Sequence, residues 1–379
     1  MALLALNRLI SIRRERRRRR NKARKGGSIT KSVKRKYSPC QQDDDSQGGK
    51  MMTNSADIWS YILSLMPMRD AARAACLSRA FLRSWRCHPN LTFNEDALGL
   101  NDNACETDFT SKVDHILKNH SGIGVKRFKL SVHCKLDNCD YVDSWLQFAI
   151  TPGIEEITVM LSGNKPQYNF PCSLFSDKIA YSIRCLELGN CAFHPTIELG
   201  PLRNLKRLDL SCVRISGDEL ACLLSNSFAL EQLELKYCKK IVSLKMPCVL
   251  QRLNCLNVLE CKRVQVIESK APNLSSFSFS GNKVKLSLVE SSQVKNLYMC
   301  SSNIICYARS DLPSIVPNVE TLAVASYCEM VDTPMLPTKL LYLKHLTISL
   351  FACVRISMVT LIEKRMALEM GQFSGFLHS

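Results

Sequence analysis

No part of this 379-residue sequence approaches the run of about 18–20 apolar residues that a membrane helix requires, so no membrane association is expected. Histidine is scarce at seven, and the nearest grouping with metal-ligand character, His133-Cys134 with Cys139, lacks the second pair that a closed tetrahedral site needs; no metal is expected. There is no Gly-Lys-Ser/Thr phosphate loop and no Gly-x-Ser-x-Gly elbow, which removes the common nucleotide-binding and serine-hydrolase chemistries. No cofactor is expected either. A secretory signal places its charges before the apolar core. The opening Met1–Ile12 stretch has the reverse order, and its apolar part is short.

Acidic residues are nearly missing from the first 36 positions, which hold 15 Lys/Arg and one Glu. The chain carries +17, but +14 of it lies in that segment, and residues 51–379 carry only +5. This is a near-neutral protein with a basic tail. The tail runs through Arg16, Arg17, Arg18, Arg19 and Arg20 to Lys22, Arg24 and Lys25, with a second cluster at Lys34, Arg35 and Lys36. Two basic clusters separated by a Gly/Ser/Thr spacer suit a nuclear import signal. A merely solvated disordered tail and an organelle presequence, with Leu3, Leu4, Leu6, Leu9 and Ile10 ahead of the arginines, also fit. Nuclear import is the expectation. Any nucleic-acid binding by such a tail would be weak and driven by phosphate charge. The polar Asp43–Gly49 stretch reads as a linker.

Cysteine is abundant instead, at 19, an odd number scattered from Cys40 to Cys353. Together with the missing secretory signal, this reads as reduced intracellular thiols, many of them small core hydrophobes.

After the linker the pattern turns helical. Ile58, Ile62 and Leu65 recur at i, i+4, i+7, with Asp57 in the first turn where the helix dipole favours it. Pro67 ends that helix. Asp70 opens an alanine-rich segment of high helix propensity, and Ser78 can cap a third helix with Phe81, Leu82 and Trp85 as its apolar face. Three helices this short bury little, so either the following chain or a partner completes them. The run Ile62-Leu63-Ser64-Leu65-Met66-Pro67, Arg69-Asp70-Ala71-Ala72-Arg73, Leu77-Ser78-Arg79 and Trp85 resembles the plant F-box over about 40 residues. Asn54-Ser55 stands where that family usually has Leu-Pro, and Ala80-Phe81 where it has a basic residue and Trp. The resemblance implies docking on the SKP adaptor of cullin–RING ubiquitin ligases through Asp57, Ile58, Ile62, Leu63, Leu65, Pro67, Asp70, Arg73, Leu77, Ser78 and Trp85.

From Val125 a six-residue pattern, apolar-x-x-apolar-x-apolar, occurs ten times, beginning at Val125, Ile154, Ile183, Leu205, Leu230, Leu253, Leu274, Val294, Val319 and Leu343. All the spacings fall between 20 and 29 residues, the range of leucine-rich repeats. Cys191, Cys238, Cys261 or Asn282 stands three residues after the last apolar position, where that repeat class turns the backbone; Cys212 stands one position early. Each repeat predicts one short parallel strand, and the stack predicts a curved solenoid whose core no single repeat could form. The return Ser216–Leu224 can be helical. The arrangement resembles the F-box/leucine-rich-repeat proteins of plants, which implies that the repeats select a substrate protein for ubiquitination.

Positions three, five and seven of each strand face the concave side. They give Arg127, Lys129, Glu156, Glu187, Arg207, Asp209, Gln232, Glu234 and Lys236, and then small polar residues together with Tyr298. The mixed charge suits a protein partner better than a nucleic-acid backbone. A reactive thiol needs an activating environment, whereas the repeats put cysteines at structural positions.

The sequence therefore reads as an α/β protein. A disordered basic tail and linker (1–50) precede a three-helix F-box (51–95), a connector (96–124), about ten leucine-rich-repeat strands in a curved parallel sheet (125–350) and a C-terminal tail or weak cap (351–379). Its expected role is that of a non-catalytic substrate-recognition subunit of an SCF-type ubiquitin ligase in the nucleus. The alternative is a nuclear repeat scaffold that binds protein or RNA and has a non-functional F-box.

Overall fold

The computed structural model describes residues 55–100, 105–132, 140–162, 168–195, 201–288, 293–327 and 340–351. The nuclear-signal clusters, the Asn54 position, the His133/Cys134/Cys139 group and the tail from 352 onward lie outside the described residues. The chain divides into two compact units, one ending at Ile154 and the other starting at Glu155.

The first unit opens with three helices, α1 (Ser55–Ser64), α2 (Met68–Ala75) and α3 (Arg79–Arg86). Pro67 occupies the N-cap of α2, as its fixed φ favours at a helix start. The Ser78 side chain accepts the Phe81 N–H at 3.1 Å and caps α3. Their shared core is Leu63, Ala71, Ala74, Ala75, Phe81 and Trp85, with Trp59, Met66 and Leu77 packed against it. Alanines on α2 let its neighbours approach closely, and the rings of Trp59 and Phe81 meet at 5.0 Å. Helix α1 thus carries two stripes at the same spacing. Trp59, Leu63 and Met66 face inward, while Ile58 and Leu65 are 45% and 65% exposed. Leu82 was expected on the packed face of α3 but is exposed, because one residue of rotation carries it away from the line through Phe81 and Trp85.

The unit continues through β1 (Asn90–Phe93), α4 (Glu95–Leu98), α5 (Glu106–Asn119), β2 (Arg127–Ser131) and α6 (Asp140–Ala149). Strand β1 pairs in parallel with β2, matching Leu91 to Phe128 and Phe93 to Leu130. Phe109 and Val113 of α5 and Val142, Trp145 and Leu146 of α6 are buried. Trp145 Nε1 donates to Asp114 Oδ1 at 2.7 Å.

The second unit runs β3 (Glu156–Met160), a single 3₁₀ turn (Cys172–Leu174), α7 (Asp177–Ala180), β4 (Cys185–Gly189), β5 (Arg207–Ser211), α8 (Gly217–Ser225), β6 (Gln232–Lys236), β7 (Ser243–Met246), β8 (Cys255–Leu259), β9 (Val266–Ser269), β10 (Ser276–Ser280), β11 (Lys285–Ser287), β12 (Asn296–Cys300), α9 (Ile304–Ser310), α10 (Leu312–Ile315), β13 (Thr321–Ser326) and β14 (His345–Leu350). All ten expected strands are present, each beginning two residues after the first apolar position of its hexad. In this unit they form one parallel sheet in the order β3-β4-β5-β6-β8-β10-β12-β13-β14. A second sheet, β11-β9-β7, is built from the returns of three repeats. In the sequence its strands are only three or four residues long, too short to display a period. The alternate residues Leu208, Leu210, Leu233 and Leu235 of the main sheet, and Leu244, Ile267 and Leu286 of the small one, are buried and furnish the core.

The post-strand turn explains the cysteines. Asn190, Cys212, Tyr237 and Glu260 follow four successive main-sheet strands with φ of 55–57°, a left-handed step that reverses the chain. Cys191, Cys238 and Cys261 then point inward and are buried. The Cys238 thiol donates to Leu210 O at 3.3 Å and the Cys261 thiol to Leu235 O at 3.6 Å. Val213 fills the equivalent place beside the early Cys212, which is exposed. Ser216 and Glu219 form a reciprocal capping box at the start of α8, so this return is helical as expected. Strand β14 pairs with β13 in register, but its alternate residues Leu346 and Ile348 are about half exposed rather than buried; no described strand lies on its outer side.

Candidate functional site

Two surfaces carry the residues singled out in the sequence. On the helical bundle, Ile58 and Leu65 are exposed, Ile62 is half-buried and Pro67 is exposed. Tyr61, 53% exposed, joins them on the outer face of α1 and was missed in the sequence; its spacing of three from Ile58 and four from Leu65 is the signal that could have found it. Asp70 and Arg73 pair on α2 at 3.2 Å. Leu77 and Ser78 are half-buried, the latter engaged as a cap. Leu63 and Trp85 require correction as contact residues: at 1% and 9% exposure they are core, and they can act on a partner only by holding the helices in place. The side chain of Asp57 lies outside the described residues. Four large apolar side chains, Ile58, Tyr61, Leu65 and Leu82, are thus left in water on a bundle whose own core is already closed.

On the sheets, Arg127 and Lys129 are exposed on β2. In the second unit the parallel register places Thr158, Glu187, Asp209, Glu234 and Asn257 in one row across β3, β4, β5, β6 and β8. Neighbouring strands lie about 4.8 Å apart, so three carboxylates stand side by side. Two cations thread them. Arg207 Nε lies 3.6 Å from Glu187 and its Nη2 4.0 Å from Asp209. Lys236 Nζ lies 2.8 Å from Glu234 and 3.9 Å from Asp209. The Thr158 and Ser211 hydroxyls donate to Glu187 and Asp209.

Burial, followed by repulsion from Glu234, pushes the Asp209 carboxyl up to about 6; Lys236 opposes the shift. Burial alone would lower the Lys236 pKa, but its bond to Glu234 and the nearby Asp209 outweigh that and raise it. Glu156 and Gln232 belong to the neighbouring row, with Cys185 and Arg207, and Tyr298 on β12, exposed, continues the first row two strands beyond Asn257 through Ser278. The arrangement can bind a partner with complementary charge. Burial raises the neighbouring thiol of Cys185 to about 12, far from the thiolate that cysteine reactivity needs. No group of three His, Cys, Asp or Glu side chains able to hold a metal occurs among the described residues.

Residues 116–370 match the family described as At1g61320/AtMIF1, LRR domain. Among curated proteins, the chain is 29% identical over 183 residues to the F-box/FBD/LRR-repeat protein At1g13570 of Arabidopsis thaliana, covering 48% of this chain and 42% of that one. It is 27% identical over 269 residues to the F-box/LRR-repeat protein At3g03360 of the same plant, covering 67% and 51%. A third Arabidopsis relative, the putative F-box/FBD/LRR-repeat protein At5g56810, is 26% identical over 302 residues, covering 76% and 67%. The chain spans about half the length of the first two relatives. The ten strands in register, the turn cysteines and the family match over residues 116–370 converge: this chain belongs to the F-box/leucine-rich-repeat proteins of plants and carries the LRR domain of the At1g61320/AtMIF1 family.

Proposed function

We propose that this chain is the substrate-recognition subunit of an SCF-type cullin–RING ubiquitin ligase. The helical bundle docks the SKP adaptor, and the repeat sheet holds a substrate protein. The observation that carries this reading is the outward stripe of α1, where Ile58, Tyr61 and Leu65 are large, apolar and exposed although the bundle core is complete without them. Burying such a stripe on a partner would gain about 25 cal/mol for each Å² of apolar surface removed from water. The relatives' names, each of which includes F-box, support it. Catalysis would then be proximity, raising the effective concentration of substrate near activated ubiquitin, and the chain itself would be non-catalytic. The mixed-charge row around Asp209 supports a protein substrate rather than a nucleic-acid backbone. The basic clusters between Arg16 and Lys36 support nuclear import.

Co-purification with a SKP adaptor is the direct test. The native chain is expected to retain the adaptor, and Leu65→Asp or Ile62→Asp to lose it, with Leu65→Asp keeping the native melting curve. The reading fails if neither the native chain nor the variant with Leu-Pro restored at Asn54-Ser55 retains any adaptor. A fluorescent fusion lacking residues 13–36 should leave the nucleus.

A further inference from the structure

Three successive repeats turn from the main sheet into the small sheet through the same local sequence. Lys239-Lys240 follow Cys238, Lys262-Arg263 follow Cys261, and Lys283 follows Asn282. The geometry forces these cations outward. The turning residue is fixed, Cys238 and Cys261 by burial and Asn282 by a 2.9 Å bond from its amide to Lys262 O. The chain dips inward again at Ile241, Val264 and Val284, all buried. What lies between must face water, and all five cations are exposed. Because the turns belong to adjacent strands of a parallel sheet, they stack about 4.8 Å apart and form a column.

The column thins toward the N-terminal repeats: the turn after β5 offers a single exposed cation, Arg214, between buried Val213 and Ile215, and at the turn after β4 the corresponding residues, Ala192 and Phe193, are buried and uncharged. None of the five cations is paired with a carboxylate among the described residues. Among the described residues, Glu260 is committed to the Ser280 hydroxyl at 2.6 Å, and Glu268 stands in register opposite Lys245 on the small sheet. Lys262, Arg263 and Lys283 line a depression of about 370 Å³ together with Val242, Gln265 and Asn282. The depression is open to solvent, and its polar donors are Gln265, Asn282 and the cations themselves.

We infer that this column is a docking site for an acidic peptide segment of a protein partner, one bearing several Asp or Glu side chains within a few residues. Like charges this close repel one another, so an anionic segment both gains attraction and relieves that repulsion. An extended peptide repeats its side chains on one face about every 6.8 Å, a reach that spans the column in two or three carboxylates. The depression has no aromatic side chain in its lining, and single-stranded nucleic acid uses aromatic platforms to stack its bases; the peptide is therefore the better occupant. The inference rests on the repeat turns alone and does not depend on adaptor docking.

The test is fluorescence anisotropy with a labelled peptide of alternating Asp and Ser, on the full chain, at about 50 mM and about 300 mM salt. The chain with Lys262→Glu, Arg263→Glu and Lys283→Glu carries the same basic tail, so the difference between the two reads the column. Binding at low salt is expected to weaken at least tenfold in the triple variant and to weaken in the native chain at high salt. Alanine at the same three positions gives a second reading that adds no negative charge and should also weaken binding. Equal peptide affinity in the native chain and in either folded triple variant would overturn the proposal. So would a larger loss for an oligouridylate than for the peptide, because the partner would then be nucleic acid.

Discussion

The ring of His88 reaches across the helical bundle to the carbonyl of Leu63, with Nε2 3.1 Å from the oxygen. The same nitrogen lies 3.2 Å from Met66 O, and Nδ1 accepts the Asn90 N–H at 3.2 Å. One buried imidazole thus satisfies the end of α1 and orients the entry to β1. Nδ1 also lies 2.8 Å from Asn90 O, so carbonyl acceptors face both ring nitrogens. Burial lowers the His88 pKa from its ordinary value, although the Asn90, Met66 and Leu63 carbonyls partly oppose it. Burial lowers that of His120 as well, whose Nε2 lies 3.0 Å from the His88 carbonyl.

A pH dependence follows. The unfolded chain takes up these protons near pH 6.5, while the folded chain resists until lower pH. The stability is whole above about 6.5 and declines as pH falls through and below it. Thermal melts between about pH 7.5 and 5.5 should show this decline. His88→Phe should reduce the pH dependence while costing on the order of 1–3 kcal/mol, because it strands the Leu63 and Met66 carbonyls.

Leu63 and Leu65 separate stability from docking on a single helix. Leu63→Ala should cost about 2–5 kcal/mol by emptying the bundle core. Leu65→Ala should stay within about 0.5 kcal/mol. Urea denaturation of the two variants compares them directly.

At Gly217, the first residue of α8, an added Cβ would stand 2.5 Å from the backbone carbonyl oxygen of Ser243. A carbonyl in a sheet cannot swing away as a side chain does, so Gly217→Ala should destabilise by about 1–3 kcal/mol. Gly189→Ala meets only the end of the Met160 side chain at comparable range. It should melt closer to the native chain in the same calorimetric experiment.

Asp209 is held charged at neutral pH against its surroundings. Its folded-state pKa of about 6 exceeds the unfolded value of about 3.9, so this group destabilises the fold above pH 6 and ceases to do so as pH falls toward 4. Asp209→Asn should raise the melting temperature at about pH 7.5, by an amount reduced by the lost contacts to Arg207 and Lys236. The gain should shrink to a minor part of itself by about pH 4.5 and vanish below about pH 4. A gain of equal size at both pH values would contradict the assignment.

The thiols should divide by location. Cys191, Cys238, Cys261 and Cys300 are buried, whereas Cys76, Cys87, Cys105, Cys212, Cys222 and Cys248 are exposed. Brief alkylation of the native protein, read by peptide mass spectrometry, should modify the second set and spare the first until denaturant is added.

Much of the repeat architecture was legible because its code is short. Period-two burial inside a hexad, repeated every 20–29 residues, leaves the chain few ways to hide its leucines, and every expected strand formed. The turn cysteines were legible for the same reason, since a small, weakly polar side chain is needed where the backbone reverses into the core. The small sheet β11-β9-β7 was not. Its strands are too short for a period and acquire partners only once the main strands have stacked. Strand β1 was missed likewise, because Leu91 and Phe93 alone do not distinguish a strand from a loop.

In the bundle, spacing identified the helices but not which stripe faces inward. Ile58-Ile62-Leu65 and Trp59-Leu63-Met66 have the same period, and local sequence treats them alike. The alanines of α2 and the rings of Phe81 and Trp85 decide the matter by accepting the second stripe. The mixed charges of β4, β5 and β6 could be named from sequence, yet their pairing could not. Only the register puts Arg207 between Glu187 and Asp209, and only burial lifts the Asp209 pKa. The sequence by itself determined the repeat, its strands and its turns, because these depend on neighbours along the chain. The tertiary structure decided which apolar stripe stays in water, which charges meet and which cations stack into a column, because these depend on residues that only folding brings together.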